Sequence, residues 1–448
     1  MNIKNKNTKM NAMENFTQKN KQHFDVIISG GGLSGSLMAL SLSKLTQNDG
    51  RLLSIAIVET LPFDQTSPAD ENALFDARVL ALSHGSAKYL AKQGVWQYLK
   101  GDASAITTID ISDRGHFGKA RLAAKEHGVN ALGYVIDMAL IGKAQLKALN
   151  DNSQNNIHWF SPDSIVDIEW KGQDEIATDK AQITVTLNSG EILSATLLLG
   201  CDGVQSPVRK LANIEVTCDD YQQVALIANV TTSKAHHHKA FERFTEFGPI
   251  AMLPLNPLKQ RKASLNNSVN GLAGDTSRCS LVWTMTPAQA EQIKSLSDDA
   301  FKEELERAFG SYLGAISQVG KRDTYPLVLL QAERQTFHRM ALVGNASHTI
   351  HPIAGQGFNL GLRDVAVMAE LIKNALAADQ DIGGFSLLHA YQTNRAKDQQ
   401  QVIQLTDSLV TLFANDLPPL VLGRNIGLQA LNVISPFKNA LVKKTMGY

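Results

Sequence analysis

The chain is predicted to be an α/β protein: a nucleotide-binding domain on a parallel sheet, interrupted by an antiparallel-sheet domain and followed by C-terminal helices. Three observations carry this. A strand, a glycine turn, a helix and a second strand ending on an acid stand in that order near the N-terminus. Segments of alternating apolar and polar residues fill the middle. A further strand, Gly/Pro-rich loop and helix follow at 340–372, and the pattern is helical from Phe385 on.

Composition limits the function classes. At 448 residues the chain exceeds one simple core and suits two domains. Hydrophobic residues at 44% and charged residues at 19% are ordinary for a globular protein. Lys plus Arg equals Asp plus Glu at 43 each, so no basic field recruits nucleic acid. Cys201, Cys218 and Cys279 make neither a disulfide framework nor a metal pair, so no metal is expected. A reduced, cytoplasmic setting follows, at most peripheral to the inner membrane, since no apolar run is long enough to span one.

The elements then fall in order. The polar, Asn/Lys-rich residues 1–23 read as a disordered extension rather than a signal peptide. Phe24 to Ser29 is a buried strand, Gly30-Gly31-Gly32-Leu33-Ser34-Gly35 the turn, Ser36 to Leu45 a helix, and Ser54 to Val58 the next strand, ending on Glu59. That is the βαβ order of a Rossmann-type dinucleotide-binding unit. Ile106–Ser112, Ile183–Leu187, Val224–Val230, Phe241–Phe247 and Ser280–Met285 read as half-exposed antiparallel strands, and Thr196–Gly200 as a buried one. The expected division places the nucleotide-binding domain at 24–105, 136–218 and 331–384. The antiparallel domain takes 106–135 and 219–330, with a loop insertion at 259–278, and helices fill 385–448, broken at Pro418-Pro419 and Pro436. His236, His237 and His238 lack acidic or Cys partners at ligand spacing and read as a surface loop.

Three glycine-bearing motifs carry the chemistry. In the first, Gly30 permits the tight turn, Gly32 lets a pyrophosphate approach, and Gly35 lets the helix pack closely. Helix N-terminal amides face the phosphates, and Glu59 is placed to accept a ribose hydroxyl. The second, Cys201-Asp202-Gly203-Val204-Gln205-Ser206-Pro207-Val208-Arg209, follows a strand; alone it could equally be an ordinary strand-end turn. The third runs from Gly344-Asn345 to Gly361, where Gly355-Gln356-Gly357 at a helix start offer free amides to an electron-rich group. His348 and His351 within it read as structural or solvent-facing loop residues rather than as catalytic bases.

Together these motifs resemble the FAD-dependent aromatic hydroxylases, the single-component class related to p-hydroxybenzoate hydroxylase, over nearly the whole chain from residue 24. Phe75–Ser83, Ser112–His116, Ala240–Thr245 with Gly248–Pro254, and Asp407–Asn415 look like the ubiquinone-biosynthesis branch that acts on polyprenylated methoxyphenols. The resemblance implies that the cofactor is FAD and that Gly30, Gly32, Ser34, Gly35, Glu59, Arg78, Asp202, Gly203, Gly344, Asn345, Pro352, Gly355, Gln356, Gly357 and Asn359 bind it. Most of the wider family has Gly-Asp where this chain has Gly344-Asn345. Asn keeps an acceptor and loses the charge, and it looks characteristic of the methoxyphenol branch.

The chain has no second GxGxxG after a strand and no Cys near the first, which argues against a two-dinucleotide reductase and a disulfide reductase. The resemblance implies transient reduction of FAD by NADH or NADPH, a flavin hydroperoxide formed with O2, and conversion of 2-octaprenyl-6-methoxyphenol to the 1,4-benzoquinol. Other ubiquinone-biosynthesis proteins would be its partners. Phe244, Met252 and Pro254 are the candidates for the substrate wall, with core packing as the alternative, and no catalytic base is identified. The C-terminal helices are expected to pack on the flavin domain, lining a tail exit being the other reading. Two rival functions remain: a hydroxylase of another ring position, and a non-catalytic flavoprotein that binds lipid phenols within an assembly.

Overall fold

A computed structural model describes residues 22–62, 78–152, 155–170, 182–257, 277–350, 355–413, 418–434, 438–439, 442 and 446–447. The expected extension at 1–23 and insertion at 259–278 lie outside these, apart from residues 22–23 and 277–278, which open strands.

In chain order, β1 (Gln22–Ser29), α1 (Leu33–Leu42) and β2 (Ile55–Val58) form the opening βαβ unit. β3 (Val79–Ser83) leads through α2 (His84–Lys92) and α3 (Trp96–Leu99) to β4 (Ser104–Ile106), β5 (Thr108–Asp113), β6 (Lys119–Ala123) and β7 (Gly133–Asp137). α4 (Met138–Asn152) returns the chain to β8 (Ile157–Phe160), β9 (Ile165–Glu169), β10 (Ile183–Leu187) and β11 (Ile192–Gly200). After α5 (Pro207–Leu211) come β12 (Val216–Thr232), β13 (Lys239–Thr245), β14 (Gly248–Leu255) and β15 (Ser277–Met285). α6 (Pro287–Lys294) and α7 (Asp298–Phe309) precede β16 (Ile316–Val319), β17 (Asp323–Ala332), β18 (Thr336–Phe337), β19 (Met340–Leu342) and β20 (His348–Thr349). α8 (Gln356–Ala377), α9 (Phe385–Phe413) and α10 (Pro418–Val433) end the fold, Pro418 opening the last helix as a proline at a first turn does.

The first sheet runs β8-β2-β1-β11-β19 in parallel, the doubly wound order, with β18 antiparallel at its edge. Both faces are covered, which is why β1 reads as a continuous apolar run. Val26 and Ile28 pack toward Leu37, Leu149 and Met368, while Ile27 packs toward Val185, Leu198 and Leu342. The alternating segment at 183–187 belongs here too, as an antiparallel ribbon β9-β10 on β11.

The second sheet runs β20-β17-β12-β15-β14-β13-β5-β6, antiparallel except for β13 on β5. One face is sealed by α6 and α7. Leu226, Ile250, Met252, Leu281 and Trp283 pack there against Phe301, Leu305 and Phe309. The other face turns toward the first domain and the small sheet β3-β7-β4. The fold class is therefore the one the sequence predicts.

The final helices divide between the two sheets. α9 packs along α8, but α10 lies on β5 and β6 of the antiparallel sheet rather than on the nucleotide-binding domain as expected. The anchor is a buried ion pair, Arg424 Nε to Asp113 Oδ2 at 2.8 Å, with Asn425 donating to the same oxygen at 2.9 Å. His236 also departs from a surface reading. It is buried, and its Nε2 lies 3.1 Å from the Leu255 carbonyl.

Candidate functional site

The first motif folds where β1 and β11 end together. Gly30 has φ +94°, and a Cβ there would lie 2.6 Å from the Cys201 carbonyl oxygen. A Cβ on Gly35 would lie 1.8 Å from the Gly30 carbonyl oxygen, so α1 packs onto the turn only because that position is glycine. Gly32 differs: no described atom lies within 4 Å of a Cβ placed there. Buried Glu59 accepts the Gly31 N–H at 2.6 Å and the Leu61 N–H at 2.9 Å, fixing a carboxylate at the end of β2 beside the turn.

The second motif meets the first. Asp202 Oδ2 accepts the Ser29 hydroxyl at 3.2 Å and the Val208 N–H at 3.1 Å, whereas buried Oδ1 has no partner among the described residues. Burial pushes the Asp202 carboxyl up, and these hydrogen bonds offset that only in part. A Cβ on Gly203 would likewise meet nothing within 4 Å. Arg209 donates to the carbonyls of Ala346 and Val204, each at 2.7 Å, and so ties this motif to the third.

In the third motif, Gly344, Asn345 and Ala346 form a single 3-10 turn, with Asn345 exposed. The Ser34 hydroxyl would lie 2.9 Å from a Cβ on Gly344, so the turn sits against α1. Asp364, fully buried in α8, accepts the Gly344 N–H at 2.9 Å, lies 2.8 Å from His348 Nε2 and takes Arg395 Nε at 2.6 Å. Burial would raise its carboxyl, but the neighbouring His348 and Arg395 outweigh that and hold it at about 2. α8 starts at Gln356 after left-handed Gly355, with no side-chain cap at its N-terminus among the described residues. Asn359 is engaged otherwise: its amide accepts from Ser83 N–H at 2.8 Å and donates to the carbonyls of Ala81 and Gly355 at 2.8 and 2.6 Å. It ties β3 to the helix start rather than offering itself to a ligand. His351 and Pro352 lie outside the described residues.

Arg78 stands just before β3, its guanidinium 4.9 Å from the centroid of the Tyr325 ring on β17. It links the first domain to the open face of the antiparallel sheet. Of the three expected wall residues, only Phe244 lies on that face, stacked on Phe413 with ring centroids 3.6 Å apart. Met252 packs among Ile250, Trp283 and Phe301 under α7, and strand alternation puts Pro254 on the same covered face. These two are not brought to the site. Glu242 is there instead: it alternates with Phe241 and Arg243, and burial pushes its carboxyl up to about 7. The sequence carried no signal for Tyr325, and for Glu242 only an acid inside an otherwise alternating strand.

The arrangement fits a dinucleotide flavin. Open space over Gly32 and Gly203, the unpartnered buried oxygen of Asp202 and the uncapped start of α8 are what phosphates, a polyol chain and an electron-rich ring require. No group of His, Cys, Asp and Glu suited to a metal occurs among the described residues.

Comparison with known proteins agrees with this geometry. The family model described as FAD binding domain matches residues 167–406. The ubiquinone hydroxylase UbiL of Rhodospirillum rubrum is 31% identical over 428 residues, covering 94% of this chain and 89% of that protein. The human ubiquinone biosynthesis monooxygenase COQ6, mitochondrial, is 28% identical over 458 residues, covering 94% and 92%. Among solved structures, p-nitrophenol 4-monooxygenase PnpA of Pseudomonas putida superposes with a TM-score of 0.70 at 16% identity, covering 95% of this chain and 99% of its own. PqsL of P. aeruginosa, described as a probable FAD-dependent monooxygenase, gives 0.68 at 18%, covering 91% and 99%. At such identities the structural likeness bears on the fold alone.

Proposed function

The chain belongs to the FAD-binding-domain family of flavin-dependent monooxygenases, and on that premise we propose that it hydroxylates a polyprenylated methoxyphenol in ubiquinone biosynthesis, with NADH or NADPH as co-substrate. The observation that carries this is the 31% identity to a ubiquinone hydroxylase over 94% of the chain.

FAD would lie along the three glycine motifs. The Gly30–Gly35 turn and the start of α1 would take the pyrophosphate, and Glu59 the adenosine ribose. Asp202 and Gly203, with Gly344 and Asn345, would face the ribityl chain. The amides of Gln356 and Gly357 would stabilise negative charge on the reduced ring. When bound, FAD supplies the electron transfer and oxygen activation that side chains cannot. The protein's part is to orient and enclose: Arg78 and Tyr325 bridge the two domains, and Phe244 against Phe413 excludes water from one side.

No helix among the described residues is long and apolar enough to cross a membrane. A long prenyl tail exceeds a pocket of ordinary size and needs an exit. Leu422 and Ile426, each 54% exposed on α10, and Phe117 at 58% support an apolar route out near the Phe244–Phe413 stack, toward a membrane surface or another protein of the pathway. Deletion of the gene tests the assignment: a prenylated methoxyphenol lacking one ring hydroxyl should accumulate. Accumulation of an earlier or later intermediate would move the reaction to another ring position.

A further inference from the structure

We propose that Glu242 receives the phenol hydroxyl of the substrate, orienting the ring and accepting its proton during oxygenation. The proposal rests on the reading of the chain as a phenol hydroxylase.

Strand geometry places the side chain. Phe241 and Arg243 are engaged on the helix-covered face: the Phe241 ring centroid is 5.8 Å from that of Phe309, and Arg243 Nε donates to the Ala308 carbonyl at 3.2 Å. Glu242 therefore points the other way, with Ala240 and Phe244. Ala240 packs with Ile106, Val135 and Leu255, and Phe244 with Ala120, Phe413 and Leu428. Glu242 is thus a carboxyl between two apolar clusters, on the sheet face that carries Tyr325 beneath Arg78. The residue is half-buried on that face, and the surrounding protein pushes its carboxyl up. It has no hydrogen-bond or ion-pair partner among the described residues.

The surroundings explain what it would bind. Its neighbours in register are Ile111 on β5 and Ala251 on β14, both apolar. The charged groups on this side include Arg78 at Tyr325, the mutually neutralising pair Asp113–Arg424, and Arg278 on β15, with Asp137 and Asp102 in its field. A partly desolvated acceptor with no protein donor among the described residues gains from one, and a phenol O–H supplies it. Burial keeps the carboxyl near 7, where it can take a proton and return it. As oxygen adds to the ring, the hydroxyl proton passes to a Glu242 oxygen and the O–H electron pair remains on the phenol, enriching the ring. When the oxygenated carbon releases its own hydrogen as a proton to solvent, the phenol oxygen regains one from Glu242, and the protons that complete the water come from solvent. The two electrons come from NAD(P)H, one oxygen atom of O2 enters the ring, and the other leaves as water.

The test compares wild-type, Glu242→Gln and Glu242→Leu holoenzymes with 2-geranyl-6-methoxyphenol as probe. Glu242→Gln should keep its flavin absorbance and bind the probe within about threefold of wild type. It should form hydroxylated product about 100-fold more slowly, the lower range for loss of a proton acceptor. In wild type, kcat/KM should rise with pH through about 7, because the carboxylate is the active form; Glu242→Gln should lose that rise. Glu242→Leu should weaken probe affinity, read by calorimetry, about tenfold or more. Wild-type-like turnover and pH profile in Glu242→Gln overturn the proposal, and that isosteric variant serves even if Glu242→Leu does not fold. Absence of product from wild type would instead overturn the hydroxylase reading, and the calorimetric comparison would still decide whether Glu242 meets the phenol.

Discussion

His348 Nε2 lies 2.8 Å from Asp364 Oδ2, and the same oxygen accepts the Gly344 N–H at 2.9 Å. One carboxylate in α8 thereby fixes both ends of the turn that carries Asn345. Arg395 from α9 and Gln399 complete its shell, at 2.6 and 3.1 Å. The loop conformation is held from behind, and Asn345 is left exposed at its front.

Removing that charge should be expensive. Asp364→Asn leaves buried Arg395 with Asp398 as its remaining counter-charge, so the loss should fall at the lower end of the about 3–5 kcal/mol for breaking a buried pair. Urea unfolding should show a loss of that order. A loss below about 1 kcal/mol would mean that the network does not hold the fold.

The same group sets an acid limit. Its folded value of about 2 lies below the ordinary 3.8, so its contribution is fully present above pH 4 and is lost as pH falls toward 2. The stability gap between wild type and Asp364→Asn should narrow by about 2 kcal/mol over that window, as expected from roughly 1.4 kcal/mol per pKa unit. A constant gap would contradict the assignment.

The glycines of the first motif should separate in their effects. Gly35→Ala drives a methyl into the Gly30 carbonyl at 1.8 Å and should lower the melting temperature of the flavin-free protein. Gly32→Ala meets no described atom within 4 Å, so its flavin-free melting should match wild type. Its FAD affinity should nevertheless fall at least about tenfold, because the methyl occupies the approach of the pyrophosphate. Unchanged FAD affinity in Gly32→Ala would show that the cofactor does not pass over this turn.

Asn345→Asp tests the departure from the wider family. Position 345 is exposed and its turn is held by Asp364, so the fold should tolerate the charge. FAD affinity by fluorescence titration should stay within about tenfold of wild type. Complete loss of flavin would mean that only the neutral amide suits the site.

What could be read from the sequence was local in the chain. Gly30 to Gly35, Glu59, Asp202 and Gly344 each sit at the end of an apolar strand, so their order alone places them along one sheet edge. What escaped depended on register between distant strands. Met252 and Pro254 stand in a motif that does lie by the site, yet alternation turns them under α7. Glu242 faces inward by the same alternation, and Tyr325 meets Arg78 only because β17 pairs with β12. The role of Asp364 was equally hidden, since Gly344, His348 and Arg395 converge on it from a turn, a strand and a separate helix.

Hydroxylation itself is measured by product analysis by mass spectrometry after incubating the flavin-loaded protein with 2-geranyl-6-methoxyphenol, NADH or NADPH, and isotope-labelled dioxygen. A product carrying one labelled oxygen on its ring is expected. Bound flavin that oxidises NAD(P)H only to hydrogen peroxide, or that consumes none in the presence of the phenol, would contradict it.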